Sequence, residues 1–497
     1  MTTSIFANFK GPGVRIQEST QGYRSLSIAS FETVYMIGSS ASGDYLTPTQ
    51  VTSLTDFTNV FGASPSEASV KLFFRNNRRG LLYFVRTPIA KRFTITVSTA
   101  VAGAYTATIN GTTVTYTAPA SPTPTLASVA SGLLDAVNNS SVASAVTAIS
   151  GDSTDKVVIR ADNPLDNLAV TVGSNLSVAA LNLTTPAATD YVYAIENSFD
   201  SQDDWTQGFL IAPQAFQLLT TQSDRLSVGN AMEALASDES FDWVALIDAG
   251  SGLTVAQAQA EGILYTSPQG HTGFYYPYLT DLEDGVVPPS AGVAGMATRR
   301  YREEGFQQPP AGAKFPVLGV KDVVTKVNTQ QQEILNPLGI NIIRNLRNKG
   351  VVVWAMRTRS SNEFYTFLNT RVIMNVLNGT LRKGFDNELF SVVDGQGVLL
   401  ASIAATAKSV CSRLWRGKAL FGATEAEAFE VKCDFENNTP DELEQGNVLL
   451  EVYVVPAPAM EKLLINTIRV SIGTLPLNQD QVEAQLIQPE TQSNTQS

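Results

Sequence analysis

The chain has 497 residues, 43% of them hydrophobic and 16% charged, with a formal net charge of −12. That length exceeds one compact core and calls for about two to four domains. The acidic balance excludes nucleic acid as the main partner, because phosphate binding needs a cationic face. Basic residues do cluster between Arg75 and Arg92 and between Arg344 and Arg359; these are read as solvated faces or ion pairs between subunits. The low charge leaves a neutral Thr, Ser, Asn and Gln surface suited to packing against copies of itself. Cys411 and Cys433 are the two cysteines, expected as reduced thiols. Met1 to Phe6 lacks a basic stretch followed by an apolar one, and no run reaches about 18 apolar residues. Neither a signal peptide nor a membrane-spanning helix is therefore expected.

In chain order, residues 1–22 read as an extended arm. Val14 and Ile16 face one way, Arg15 and Gln17 the other, and no hairpin partner lies beside them. Unpaired backbone edges of this kind are templates for another chain. Residues 23–90 read as compact α/β, with a strand within Ile28–Ile37, helices over Thr52–Phe61 and Ser66–Asn76, and a buried strand at Leu81–Val85. Composition then shifts. Residues 91–190 are rich in Thr, Ala, Val and Ser, and Asn110-Gly111 between two alternating runs marks a hairpin. We expect a small inserted β-rich domain there. In 191–358, continuous apolar strands such as Trp243–Ile247 and Val351–Ala355 alternate with helices, the pattern of a parallel sheet covered on both faces. Residues 359–473 carry two long helices, Phe364–Asn378 and Val398–Trp415. Strands are expected at Phe429–Asp434, Asn447–Val455 and Leu463–Ile472. Residues 474–497 form a polar, acidic tail without Lys or Arg.

Catalytic constellations are missing their parts. The single histidine, His271, would need a carboxylate and a serine, for which Asp248 and Ser251 are the candidates. No Gly-x-Ser-x-Gly elbow accompanies them. One histidine and two distant cysteines do not make a zinc site of usual ligand content. Asp434 to Asn438 has oxygen ligands at alternating positions but Thr439 where a calcium loop needs glycine. Arg416-Gly417-Lys418-Ala419 lacks the glycine and hydroxyl of a phosphate loop, and Gly395-Gln396-Gly397 lacks the third glycine of a dinucleotide fingerprint. No cofactor, metal or catalytic residue is expected. The competing readings are a serine-type hydrolase using His271 and a surface or adhesion protein suggested by the Thr-rich region.

Three segments resemble the contractile tail sheath proteins of bacteriophages and of related phage-tail-like injection particles. They are Gly11-Pro12-Gly13-Val14-Arg15-Ile16-Gln17-Glu18, then Leu335-Asn336-Pro337-Leu338-Gly339-Ile340-Asn341 with Gly350 to Arg357, and Leu414-Trp415 through Phe429-Glu430-Val431-Lys432-Cys433-Asp434 to Asn437-Asn438. Arg15 replaces the family's aromatic, and Ala355-Met356 replaces its Gly-Ala. The resemblance covers roughly 11–88 and 195–473 and says little about 91–190.

That resemblance implies a mixed α/β and α+β multidomain fold. Its central α/β domain would have subtilisin-like strand order, and 23–90 and 359–473 would share one core. It implies a non-enzymatic subunit of a helical stack of hexameric rings around an inner tube. The subunit would reside in the virion tail after assembly in the host cytoplasm, or in a host-encoded injection device. The expected partners are the protein itself, the tube protein, and baseplate and tail terminator proteins, with no nucleic acid and no membrane insertion. Linking residues would be Val14, Arg15, Ile16 and Gln17 at one end and Leu463, Leu464, Ile465, Ile468 and Val470 at the other. Lys408, Arg413, Arg416 and Lys418 are the candidate tube contacts, a basic patch that could meet an acidic tube.

Overall fold

Strand β1 (Thr33–Gly38) buries every residue, which only a strand covered on both faces does. The computed structural model describes residues 26–201 and 204–469. After β1 come β2 (Thr49–Val51), helices α1 (Leu54–Phe61) and α2 (Glu67–Asn76), and β3 (Leu81–Arg86). Ser53 caps α1 by accepting the Asp56 N–H through its hydroxyl, which satisfies an otherwise orphaned donor.

An excursion follows, with β4 (Arg92–Val97), β5 (Gly103–Ile109), β6 (Thr112–Ala118), α3 (Leu126–Asn138), β7 (Val146–Ser150), β8 (Lys156–Ala161), β9 (Val170–Val172) and β10 (Leu176–Ala180). The chain then resumes as α4 (Ala188–Asn197), β11 (Gly208–Ile211), α5 (Pro213–Leu218), α6 (Gln222–Ser237), β12 (Val244–Asp248), α7 (Val255–Gly262) and β13 (Thr272–Tyr276). Next are β14 (Leu279–Asp281), β15 (Val286–Val287), α8 (Ser290–Glu304), β16 (Val320–Val323), α9 (Thr329–Leu335), β17 (Ile340–Leu346) and β18 (Gly350–Val353). Last come α10 (Leu368–Phe385), α11 (Val398–Arg416), α12 (Glu425–Ala428), β19 (Phe429–Lys432), α13 (Pro440–Glu444) and β20 (Glu451–Val454).

Eight strands form the central sheet in the order β18-β17-β13-β12-β11-β1-β3-β2. From β17 to β3 the neighbours run parallel; β18 and β2 close the two edges antiparallel. Alternation splits each inner strand between two cores. Val34, Met36, Val244 and Leu246 join α2, α8 and α10 on one face; Tyr35, Ile37, Ala245 and Ile247 join α4, α6 and α7 on the other. The small-residue helix α8 lies close on α2. A Cβ at Gly295 would meet the Phe73 carbonyl oxygen at 2.8 Å and one at Gly292 would meet Leu72 at 3.1 Å, so glycine is what permits the approach.

One expectation is refined here and another stays untested. Residues 23–90 do share a core with 359–473, since Phe31, Val34, Met36 and Leu72 pack in one cluster with Leu368, Val372 and Val376 of α10. What differs is that this core also belongs to the central sheet, because β1 and β3 lie in its middle, while Leu26 and Ile28 reach the C-terminal cluster. A continuous apolar strand pairs wherever a parallel neighbour exists, and β11 supplies that neighbour 175 residues later. The second concerns Leu463–Ile472, which is expected to pair with a neighbouring copy. Residues 460–469 form no strand, since a strand needs a hydrogen-bonded partner. Residues 470–472, Val470 among them, and the arm residues Val14, Arg15, Ile16 and Gln17 lie outside the described residues.

The excursion from β4 to β10 makes its own sheets, β10-β4-β8-β7 and β6-β5-β9, around a separate cluster that includes Ile95, Tyr105, Leu133 and Ile159. Asn110 and Gly111 both have positive φ, 49° and 85°, as the hairpin turn requires. Arg92 and Asp190, at the two ends of the excursion, form a buried ion pair at 2.9 Å.

Candidate assembly surface

Helix α10 is a wall between two bodies. Leu368, Val372 and Val376 face the central sheet, while Ile373 and Leu377 face the C-terminal cluster. A third stripe is polar and buried. Arg371 donates to the Gln269 carbonyl at 3.3 Å and lies over the Tyr365 ring, 5.0 Å from its centroid. Asn375 donates to the Trp243 carbonyl at 3.2 Å. That carbonyl also accepts from His271 Nδ1 at 2.8 Å, which fixes the imidazole tautomer. Glu233 accepts from Ser267 Oγ at 2.8 Å and from Thr272 Oγ1. Burial pushes its carboxyl up to about 7. Burial, aided by Arg371, pushes His271 down to about 4. Arg382 pairs with Asp242 at 2.7 Å and completes the seam.

The hydrolase constellation is not assembled. His271 is 1% exposed and committed to a backbone carbonyl. Asp248 is paired in register with Tyr275, four residues beyond His271, about 13 Å along the strand. Its carboxylate accepts instead from Ser290 N at 2.7 Å and Ser290 Oγ at 2.5 Å, at the start of α8. The crevice between β1 and β11, where open α/β sheets take ligands, is filled. Gln214 accepts from Ser39 N at 2.6 Å and from Ser66 Oγ at 2.9 Å, and donates to Ser39 Oγ at 2.7 Å.

Beyond α10 the chain builds a small lobe. Helix α11 is long and apolar enough to cross a membrane by length and composition alone, although Lys408 and Arg413 interrupt its apolar sequence. Its stripe Thr406, Ala407, Val410, Cys411 and Leu414 is buried and contributes Val410, Cys411 and Leu414 to the lobe core. Lys418 takes a left-handed φ of 62°, and Ala419 N–H returns to the Leu414 carbonyl at 2.9 Å, so the last turn of α11 is capped. β19 and β20 then pair antiparallel, Phe429 with Val454 through Lys432 with Glu451. The Asp434–Asn438 turn that leads from β19 to α13 is tied to the chain entering β20. Asn438 donates to the Leu449 carbonyl at 3.0 Å and accepts from Leu449 N at 2.6 Å, and Asn437 donates to Glu451 at 3.1 Å.

Among the described residues, β19–β20 is a two-stranded sheet with no third strand. Each strand therefore keeps one backbone edge to offer. β20 also leaves Tyr453 54% exposed. Residues 460–469, without helix or strand, leave Leu463, Leu464, Ile465 and Ile468 all exposed.

Residues 182–359 match the phage tail sheath protein central domain, and 360–469 match the phage tail sheath C-terminal domain. Together these cover more than half of the chain. The chain belongs to the phage tail sheath family. Over 212 residues it is 23% identical to the tail sheath protein of Enterobacteria phage T4, across 42% of this chain and 31% of that relative's length. Its fold is similar to the helical sheath of the anti-feeding prophage in the contracted state, with a TM-score of 0.58 and 17% identity over 93% of this chain and 99% of that one. It is likewise similar to the contracted sheath complex of an extracellular contractile injection system, PVC, with a TM-score of 0.57 and 16% identity over 93% and 98%.

The motifs shared with the sheath family have structural roles here. Gly339 takes φ 70° at the end of the Asn336–Leu338 turn, and a Cβ there would meet the Thr358 carbonyl oxygen at 2.4 Å. Asn341, fully buried, donates to the Arg357 carbonyl and accepts from Arg357 N, both at 2.7 Å. The Leu-Asn-Pro-x-Gly-Ile-Asn run thus clamps β17 to the chain leading into α10. In the C-terminal motif, Trp415 Nε1 donates to the Gly422 carbonyl at 2.9 Å.

Of the four proposed tube cations, Lys408, Arg416 and Lys418 are exposed. Arg413 is not available to that patch. It is half-buried and donates to the Leu26 carbonyl, because it follows Thr406 and Val410 on the buried stripe at helical spacing. Arg416 lies 3.7 Å from Glu425. Sequence reasoning missed the α10 seam and the open β19–β20 sheet. Arg371 and Asn375 on a helix otherwise carrying apolar positions were the available signal for the first.

Proposed function

We propose that the chain is the repeating structural subunit of a contractile sheath, in a phage tail or a host-encoded injection particle. Six-membered rings stack helically around an inner tube and contract to drive it through a target envelope. The observation that carries this reading is the two-stranded β19–β20 sheet, open at its edges, in a chain that also bears exposed apolar residues outside helix and strand at 460–469. The segment around Leu463–Val470 of one copy, and the arm around Val14–Gln17 of another, add to the sheet of a neighbour. About four hydrogen bonds per arm at ~0.5–1.5 kcal/mol each hold copies together by a few kcal/mol before side-chain burial. Contraction is a re-docking of rigid bodies so tethered, a bistable interface rather than a hydrolytic step.

The strand order supports the subtilisin-like likeness of the central domain, which concerns topology and not chemistry. The inserted 91–190 domain projects outward, and baseplate and terminator proteins close the two ends of the stack. Assembly takes place in the host cytoplasm. Lys408, Arg416 and Lys418 are exposed and stay the proposed tube contacts, Lys408 being the one that does not line the hollow at the end of α11.

Electron microscopy of the chain expressed alone tests the reading, with striated hollow tubes expected. Removing residues 1–20 should leave folded, soluble subunits that form no long tubes. Normal tubes from that deletion would refute the linking role of the arm.

A further inference from the structure

At the C-terminal end of α11 a cavity of about 680 Å³ opens between Trp415, Leu420, Phe421 and Ala457, with Arg416 and Lys418 among its lining. Its chemistry is specific. Phe421 leaves 61% of its surface in solvent while its backbone N–H is fixed to the Val455 carbonyl at 2.8 Å, so the ring is held outward rather than folded in. Lys418 has no carboxylate partner among the described residues, and Arg416 is only loosely engaged by Glu425. An apolar hollow edged by two cations fits an acidic, apolar peptide.

The chain itself carries such a peptide. Residues 474–497 contain Asp480, Glu483 and Glu490, no Lys or Arg, and the apolar residues Leu475, Leu477, Val482, Leu486 and Ile487. Resting on the strand-addition reading above, we infer that this segment of a second copy docks in the Trp415–Phe421 hollow. The cavity adjoins the sheet that would receive the preceding strand: Ala457, in its wall, lies three residues beyond the last residue of β20, about 10 Å of extended chain. A neighbour's Leu463–Ile472 laid on β20 would deliver its acidic tail within reach. Burying Phe421 under that tail while pairing its carboxylates with Lys418 and Arg416 couples the hydrophobic and electrostatic contributions at one site.

The test places a photo-crosslinking residue in the full chain, Phe421→p-benzoylphenylalanine in one variant and Tyr453→p-benzoylphenylalanine in another. Each variant is mixed with isotope-labelled wild-type chain under assembling conditions. The inference expects position 421 to crosslink to residues 474–497 of the labelled copy, and Lys418→Glu to lower that yield roughly tenfold. Position 453 should crosslink to residues 460–473 of the labelled copy. Crosslinks from 453 without those from 421 overturn the tail site and leave strand addition standing. Loss of both overturns both. Crosslinks from 421 confined to its own copy, to another segment, or to added tube protein also overturn the inference.

Discussion

Glu233 keeps its carboxyl inside the seam between the central sheet and α10, where burial raises it to about 7 from the ordinary 4.5. Because the native value exceeds the unfolded one, its stabilising contribution is complete below about pH 4.5 and is lost as pH rises through about 7. Glu233→Gln should therefore leave stability nearly unchanged at pH 4.5. At pH 8 it should raise stability by about 2–3 kcal/mol, read as a shift in the urea midpoint. Arg371, which favours the ionised form, limits the gain. A second residue, Asn341, satisfies both backbone groups of Arg357 from a fully buried position. Asn341→Ala strands those groups and should cost about 2–4 kcal/mol in chemical denaturation. Neither environment was legible in the sequence. Glu233 stands one residue past the buried Met232 on α6 and reads like an ordinary surface carboxylate, and the partner of Asn341 lies 16 residues away. The inward turn of Arg413 was the more readable case, because it continues the Thr406–Val410 stripe.

Among elements, strands and helices were largely visible and their pairing was not. The alternation of β5 and β6 with Asn110-Gly111 between them specifies a local hairpin, and the structure has it. The apolar run of β1 specifies only burial on both faces. Its neighbours β3 and β11 are chosen by long-range packing that no periodicity records, so the core that 23–90 shares with α10 was not seen to be the central sheet's as well. Openness of an edge is equally invisible, since it depends on what does not pair. At this scale the testable feature is the 460–469 run. Leu464→Asp puts a charge on the segment proposed to join a neighbour's sheet. It should leave the thermal midpoint of the isolated subunit within about 1 °C, because Leu464 is 93% exposed and exposed substitutions are nearly neutral. The same change should abolish long tubes in electron micrographs. Unaltered tube formation would count against strand addition at this end.

For the molecule as a whole, the excursion from β4 to β10 is joined to the central body at one gate. Arg92 and Asp190 face each other there at 5% and 1% side-chain exposure, and Asp190 also accepts from Ala187 N at 2.9 Å. Arg92→Ala leaves that carboxylate buried without a counter-charge. It should cost about 3–5 kcal/mol, seen as early thermal loss of the near-ultraviolet signal from the buried aromatic residues. Residues 91–181 expressed alone should fold, because their cluster around Ile95, Leu133 and Ile159 is self-contained; a cooperative melt would show it.

The gate has a practical consequence. A body whose two chain ends leave the host side by side behaves as a plug-in cartridge. Any foreign fold whose termini lie a similar short span apart could occupy the socket, while the central sheet beneath stays as it was.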